Sequence, residues 1–249
     1  MHSRKELSAR YGLIGKKLGH SFSPAYFKNK FTEENINASY DLLELEKIED
    51  IGFILKSGID GLNVTIPYKS AVLPYLDRID EQAAQIGAVN CIAKEDGKFV
   101  GYNTDWIGFT KSLLELIGDL RPGALVLGNG GASKAVQFSL SALGIDYHVV
   151  NRRGKGMLYA KIDKPIIQDN LLIINTTPLG MTPNHNEKPP IPYEWIGDQH
   201  FLIDLIYNPK KTLFLTSGQE QGAKIQNGLP MLVYQAEASW EIWNKNRLK

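Results

Sequence analysis

The stretch Ala124–Ser133, A-L-V-L-G-N-G-G-A-S, limits the folds open to this chain more than any other. Four apolar residues run into a glycine cluster, and a helical pattern follows from Lys134. A buried strand, a tight turn and a helix N-terminus are what a dinucleotide pyrophosphate requires. Gly128 lets the chain turn, Gly130 lets the backbone approach a phosphate, and the N–H groups of the first helical turn face the anion. Asn129, Gly131 and Ala132 complete the loop, and Ser133 stands in place of the third glycine, small enough for close helix–strand packing. Strand–turn–helix also occurs in α/β folds that bind nothing there, so the flanks have to decide.

The first flank is the end of the next strand. Asp146–Val150 reads as a strand ending at Asn151-Arg152-Arg153, about twenty residues beyond Gly128. An enzyme using NAD usually carries Asp or Glu there, accepting from the ribose 2′-hydroxyl, and a carboxylate would repel a 2′-phosphate. Guanidinium groups bind a phosphate bidentately. Read alone, N-R-R is a solvated basic turn; behind a correctly spaced glycine loop it favours NADP over NAD.

Size and charge exclude other classes. The 249 residues suffice for one large domain or two small ones with a real core. A net charge of +1, with Lys and Arg scattered, implies neither a nucleic acid nor an acidic partner; Lys245–Lys249 is short enough to be a solvated helix end. No run is long enough to span a membrane, and Met1–Arg10 is too polar for a secretory signal. The single cysteine, Cys91, excludes an internal disulfide and points to a reduced, cytoplasmic protein; inside the apolar run Ala88–Ala93 it reads as a buried strand thiol. No Cys/His spacing suggests a metal site.

Along the chain, strands are expected at Arg10–Gly15, Ala38–Leu45, Gly61–Ile66, Val89–Ala93 and Phe99–Tyr102, the last two joined by a hairpin turn at Asp96-Gly97. Helices are expected at Ser21–Asn35, Lys47–Ser57, Tyr68–Leu76 and Glu81–Ile86, with Ser23 capping the first ahead of Pro24. This alternation suits a mostly parallel sheet. A second unit opens with the helix Asn103–Gly118, capped by Asn-Thr-Asp. It continues through the glycine loop and Asp146–Val150 to a segment, Gly154–Asn170, with little room for a long helix. Strands follow at Leu171–Asn175, Phe201–Leu205 and Ala223–Gln226, a Pro-rich loop at Pro183–Pro192, and helices at Leu213–Gln221 and Pro230–Asn246.

Several polar residues fall where chemistry could sit. Lys69 follows N-V-T-I-P-Y at a strand C-terminal end, the side on which open α/β sheets bind ligands. A desolvated lysine can have its pKa tuned to deliver a proton to a carbonyl being reduced; the plainer reading is a surface lysine opening a helix. Asp105, Ser21 and Ser23 read singly as helix caps, and Asn63, Thr65, Asn90 and Gln235 singly as structural, although a polyhydroxylated ligand needs several such groups.

Together these residues resemble the shikimate dehydrogenase (shikimate/quinate dehydrogenase) family nearly from end to end. The similarity is carried by H-S-F-S-P (His20–Pro24), N-V-T-I-P-Y-K (Asn63–Lys69), G-A-V-N (Gly87–Asn90), G-Y-N-T-D (Gly101–Asp105), G-N-G-G-A-S (Gly128–Ser133), N-R (Asn151-Arg152), N-T-T-P-L-G-M (Asn175–Met181), D-L-I-Y-N-P (Asp204–Pro209) and N-G-L-P-M-L-V-Y-Q (Asn227–Gln235). The resemblance implies an α/β enzyme of two domains with its active site in the cleft between them. Residues 1–102 would form a substrate-binding α/β domain onto which the helix 229–249 folds back, and 103–228 a Rossmann domain for NADP(H). The implied reaction is the reversible NADPH-dependent reduction of 3-dehydroshikimate to shikimate, toward chorismate and the aromatic amino acids.

By the same resemblance Lys69 and Asp105 are the catalytic pair, and Ser21 and Ser23 grip the substrate carboxylate. Asn63, Thr65, Asn90, Asp105 and Gln235 face the ring, with Tyr207 nearby. Gly128–Ser133, Asn151–Arg153 and Thr176 hold the cofactor, and Leu205 and Gly228 line its nicotinamide. Glu81 matches a position credited with cofactor contact, though helix capping suits it better. The implied partner is a small-molecule substrate, with no metal, and the chain would act as a monomer or homodimer.

The chain also departs from the family pattern. The family often has His-Asn after S-x-S-P, where Phe27 and Lys28 stand here. After Asn-Arg it usually has Thr and, three residues later, a second basic residue; here these are Arg153 and Gly156, so a second phosphate contact falls to Arg153 or Lys155 or is absent. Pro230 stands where glycine is common. The rivals are a quinate-preferring or NAD-using relative, against which Ser23 speaks because such enzymes tend to carry threonine there, and a non-catalytic ligand-binding relative, against which the Lys69/Asp105 pair speaks.

Overall fold

The computed structural model describes residues 9–19, 21–153 and 156–245; His20, Lys155, Met1–Ser8 and the last four residues of the expected terminal helix lie outside them. These residues form a mixed α/β architecture of two compact units, one comprising residues up to Thr104 and from Ala236 onward, the other Asp105–Gln235. Among the described residues no helix is long and apolar enough to cross a membrane.

The first unit contains β1 (Ala9–Gly15), α1 (Ser23–Glu33), β2 (Ala38–Glu44), α2 (Ile51–Leu55), β3 (Gly61–Val64), β4 (Arg78–Ile79), α3 (Glu81–Ile86), β5 (Cys91–Glu95) and β6 (Lys98–Tyr102). Its six strands lie in the order β2-β1-β3-β5-β6-β4. Strand β1 shows why helices cover both faces. Successive side chains point to opposite sides, and Tyr11 enters a cluster with Phe27 and Phe31 of α1, whereas Ile14 enters one with Ile51, Leu62 and Val72.

The sheet is mixed, with three of its five strand pairs parallel, β4–β6 among them. β1 pairs in parallel with β2 and β3, but β3–β5 and β5–β6 are antiparallel. The reason is the expected hairpin itself: Asp96 and Gly97 both take positive φ, 49° and 80°, which turns the chain straight back on its neighbour.

Four helix readings need correction. Lys47–Ser57 is a 3-10 turn at Ile48–Asp50 running into the short α2, and Tyr68–Leu76 is a series of turns ending in a 3-10 turn at Leu73–Tyr75. There Pro74 removes the backbone donor that a continuing helix needs. Ser23 is not a cap: α1 begins at Ser23, and Phe22 precedes it without a capping side chain. At α3 the cap is Asp80, whose carboxylate accepts from the Gln82 N–H at 3.1 Å; Glu81 is the first helical residue.

The second unit contains α4 (Asp105–Ile117), β7 (Ala124–Leu127), α5 (Gly131–Ala142), β8 (Tyr147–Asn151), β9 (Met157–Leu158), α6 (Lys164–Asp169), β10 (Leu172–Asn175), β11 (Phe201–Asp204), α7 (Leu213–Glu220) and β12 (Lys224–Gln226). The last helix, α8 (Leu229–Lys245), begins here, and its residues from Ala236 belong to the first unit. The order is β12-β11-β10-β7-β8-β9, and every pair is parallel. All four residues of β7, of β10 and of β11 are buried, as strands covered on both faces must be. From β7 the chain moves outward one way to β8 and then returns past β7 to β10. That reversal opens a crevice at the C-terminal end of β7, where ligands of such sheets bind.

Candidate active site

In the second unit the crevice is built by the glycine loop. Gly128 has φ +107°, and a Cβ there would lie 2.7 Å from Thr176 Oγ1 and 3.0 Å from Thr177 Cγ2, so only glycine fits. Thr176 is held in this position by its own hydroxyl, which donates to the Leu127 carbonyl at 2.8 Å. Ser133 is fully buried and its hydroxyl closes the loop onto the Gly128 carbonyl at 2.8 Å, which secures the helix start without a third glycine. Helix α5 then opens with Gly130 at its N-cap and no capping side chain, and Cβ atoms at Gly130 and Gly131 would meet nothing within 4 Å. Helix N–H groups, the positive end of a twelve-residue helix and open space beside the backbone fit a pyrophosphate.

A pocket of about 390 Å³ joins that loop to the end of β8. Gly128, Asn129, Gly130, Asn151, Arg152 and Thr176 line it, together with Tyr159 and the loop residues Asn184, Glu187 and Pro190. A second recess, about 500 Å³, is lined by Arg152 and the exposed Arg153. No carboxylate follows β8, so this end of the pocket suits an anion.

The other wall is held by a buried carboxylate that carries no role in the sequence reading. Asp204, fully buried at the end of β11, accepts from Asn175 Nδ2 at 3.0 Å, from the Ile206 N–H at 3.1 Å and from the Thr212 hydroxyl at 2.5 Å. Burial pushes its pKa up to about 6 despite those three donors. Asn175 in turn accepts from the Thr177 N–H and hydroxyl. The two loops N-T-T-P-L-G and L-I-Y-N-P are thereby tied together. Leu205 and Gly228 meet here too: the Gly228 N–H donates to Ile206, and the Gly228 α-carbon packs against the Leu205 carbonyl. Tyr207, half-buried, follows directly, and burial raises its pKa.

Asp105 is the first residue of α4 and is buried. One turn later, a Cβ on Gly108 would meet Met231 O at 2.5 Å and Gln235 N at 2.8 Å, so α8 lies against the same turn of α4 that carries Asp105. Gln235 itself is buried, with its amide donating to the Leu232 carbonyl at 2.9 Å.

The first unit supplies a connected set of buried polar groups. Tyr40 of β2 donates to Asn63 Oδ1 at 2.8 Å, and Asn63 Nδ2 donates to Ser239 Oγ at 2.9 Å and to the Asn90 carbonyl at 3.2 Å. Ser239 meets the Thr104 hydroxyl at 3.1 Å, and Thr104 closes on Asn90 through its N–H (2.5 Å) and by accepting from Asn90 Nδ2 (3.0 Å). Ser23 bonds to Tyr40 instead of capping α1, and burial raises the Tyr40 phenol well above its ordinary range. Ser23, Asn63 and Asn90 are therefore held on one network. Asn63 is 3% exposed, with its amide nitrogen engaged by both the Asn90 carbonyl and Ser239 Oγ.

The half-buried Thr65 follows β3, its N–H donating to the Ile14 carbonyl at 2.9 Å. Lys69, half-buried, lies one turn further, with its carbonyl accepting from Val89 N–H at 2.7 Å, two residues after Gly87 and next to Asn90. Ser21, half-buried, is turned by its N–H to the Leu18 carbonyl. Tyr40, Thr104 and Ser239 went unread because hydroxyls so far apart in sequence share no local pattern.

Comparison with known proteins agrees with this equipment. A family model for the shikimate dehydrogenase substrate binding domain matches residues 13–92. The shikimate dehydrogenase (NADP(+)) of Clostridium beijerinckii is 43% identical over 255 residues, covering 96% of this chain and 93% of that protein. A crystal structure of shikimate dehydrogenase from Aquifex aeolicus superposes with a TM-score of 0.87 at 35% identity, covering 96% of this chain and 93% of that one. That of the Thermus thermophilus enzyme, in complex with NADP(H) and shikimate, gives 0.84 at 30% identity over 95% of this chain and 94% of that one.

Proposed function

This chain belongs to the shikimate dehydrogenase family, and on that premise we propose that it catalyses the NADP-dependent, reversible reduction of 3-dehydroshikimate to shikimate. NADPH, when bound, supplies the hydride that reduces the ketone carbon. Lys69 holds a proton at the carbonyl oxygen and releases it as the alkoxide forms; in the oxidation direction its amine takes that proton back. Asp105 accepts from substrate and lysine and fixes their orientation. Ser21 and Ser23 donate to the ring carboxylate, and Thr65, Asn90, Asp105 and Gln235 sort the ring hydroxyls, with Tyr207 beside them. Asn63 acts through Tyr40, Asn90 and Ser239, keeping those groups in register.

On the cofactor side, Gly128–Ser133 would hold the pyrophosphate and Asn151, Arg152 and Arg153 the 2′-phosphate. Thr176 would add to the cofactor contacts beside the glycine loop, and Leu205 and Gly228 would border the nicotinamide. Residues 1–102 with the terminal helix make up the substrate side, and 103–228 the NADP side. The buried, lone Cys91, whose thiol is pushed up to about 12 by burial, suits a reducing compartment, and the chain would work in the cytoplasm as a monomer or homodimer.

One observation carries the reading: the pocket that the glycine loop opens ends on Asn151 and Arg152, without a carboxylate behind β8. The test is oxidation of shikimate and of quinate by the purified protein with NADP and with NAD. Shikimate with NADP should turn over fastest. Faster turnover of quinate with NAD, or folded protein that reduces neither cofactor, would overturn it.

A further inference from the structure

Behind β8, Gly156 stands at the position of the second basic residue in the family pattern, and the structure gives the reason. Gly156, at that position, has φ +110°, and a Cβ there would lie 2.7 Å from Val149 O and 3.0 Å from Asn151 Nδ2. No side chain fits, because the chain returns at once to pair β9 with β8, Met157 beside Val150 and Leu158 beside Asn151. The next residue is Tyr159, at the start of a 3-10 turn, and its ring packs on the core while lining the same pocket as Gly128, Asn151 and Arg152.

The Tyr159 hydroxyl is shielded from solvent and has no hydrogen-bond partner among the described residues. Buried hydroxyls left this way are uncommon, and a ligand that completes them is one explanation. The group is also the right kind of donor. Burial pushes the phenol up to about 12 while the guanidinium of Arg152 pulls it the other way, so at neutral pH it is an O–H lying within the field of that arginine. Arg152 is exposed and free to turn onto an anion, which would bring its phosphate to the edge of the tyrosine.

Resting on the NADP reading above, we infer that Tyr159 is a specificity-determining residue that donates its hydroxyl to the cofactor 2′-phosphate, beside Arg152 and where Gly156 supplies no side chain. A neutral donor to a dianion strengthens binding without adding charge. NAD, which lacks the phosphate, gains nothing from it.

The experiment is calorimetric titration of the full chain with adenosine 2′,5′-bisphosphate and, separately, with 5′-AMP, for the wild type, Tyr159→Phe and Arg152→Ala. Tyr159→Phe should weaken the bisphosphate about tenfold and leave 5′-AMP unchanged, the loss expected for one hydrogen bond to a charged group. Its Tm should not fall, since the hydroxyl bonds nothing among the described residues. A bisphosphate affinity unchanged in Tyr159→Phe, or an equal loss for both ligands, overturns the inference; if Arg152→Ala still loses the bisphosphate, the NADP reading survives it. A wild type that binds the bisphosphate no more tightly than 5′-AMP overturns both.

Discussion

The two units prepare for a ligand by opposite means. In the first, side chains do the work: Tyr40, Asn63, Ser239, Thr104 and Asn90 bond to one another in the interior, and Ser23 joins them through Tyr40. In the second, the backbone does it: Gly128 at φ +107° against Thr176, then the uncapped start of α5, with side chains needed only at the rim. The difference follows from the ligands. A polyhydroxylated ring is told from its isomers by directed donors and acceptors, which must be locked in place. A pyrophosphate is the same in every dinucleotide and needs only N–H groups and room.

The largest effect should come from Lys69, the proton donor of the proposed reaction. Lys69→Ala should lower kcat by about 10²–10⁴-fold, with a smaller change in the KM for shikimate and little in that for NADP. Steady-state kinetics checks this, and near wild-type kcat would remove Lys69 from the chemistry.

Next, Gly128→Ala should act only on the backbone-built side. A Cβ 2.7 Å from Thr176 Oγ1, on a residue at positive φ, costs about 1–3 kcal/mol. The KM for NADP should rise about tenfold or more while shikimate binding to the free protein, followed by calorimetry, is kept. Loss of both together would show that the two sides are not separately built.

Asn63→Ala tests whether that residue positions or binds. Leaving Tyr40 and Ser239 without their partner should cost about 1–3 kcal/mol in thermal or denaturant unfolding. Stability at the wild-type level with a raised KM for shikimate would return Asn63 to the substrate contacts.

A further effect, confined to stability, is a pH dependence seated at Asp204. Its folded pKa, about 6 against an ordinary 3.8, means that the folded state binds the proton more tightly than the unfolded chain. The group therefore favours the folded state below the ordinary value and loses that contribution as pH rises through about 6. The loss is on the order of 3 kcal/mol. Comparing unfolding at several pH values between wild type and Asp204→Asn should show this slope in the wild type alone. Parallel curves would mean that Asp204 titrates normally.

How much could be read from the sequence follows the same division. The backbone-built side was legible because its determinants are contiguous: four apolar residues, a glycine loop and N-R-R at the right spacing suffice. The short segment behind β8 was legible as short, yet not its consequence, because the return of β9 onto β8 is a tertiary event and Tyr159 carries no motif. On the substrate side the quoted motifs gave the strand ends, and Ser23, Asn63 and Asn90 were singled out. What they do was not legible, because their partners Tyr40, Thr104 and Ser239 arrive from distant elements. Ser23 before Pro24 has every local mark of a cap, and the competition for its hydroxyl by Tyr40 is visible only in three dimensions. Asp204 and Asn175 stood inside recognised segments, but nothing local says that a carboxylate will be fully buried.

The division of labour is tested most directly by Arg152→Ala in a matrix of initial rates, shikimate and quinate against NADP and NAD. The variant should lose its preference for NADP over NAD, through KM for NADP, while shikimate remains preferred over quinate by the wild-type factor. A change in the shikimate preference with the cofactor preference intact would contradict the account.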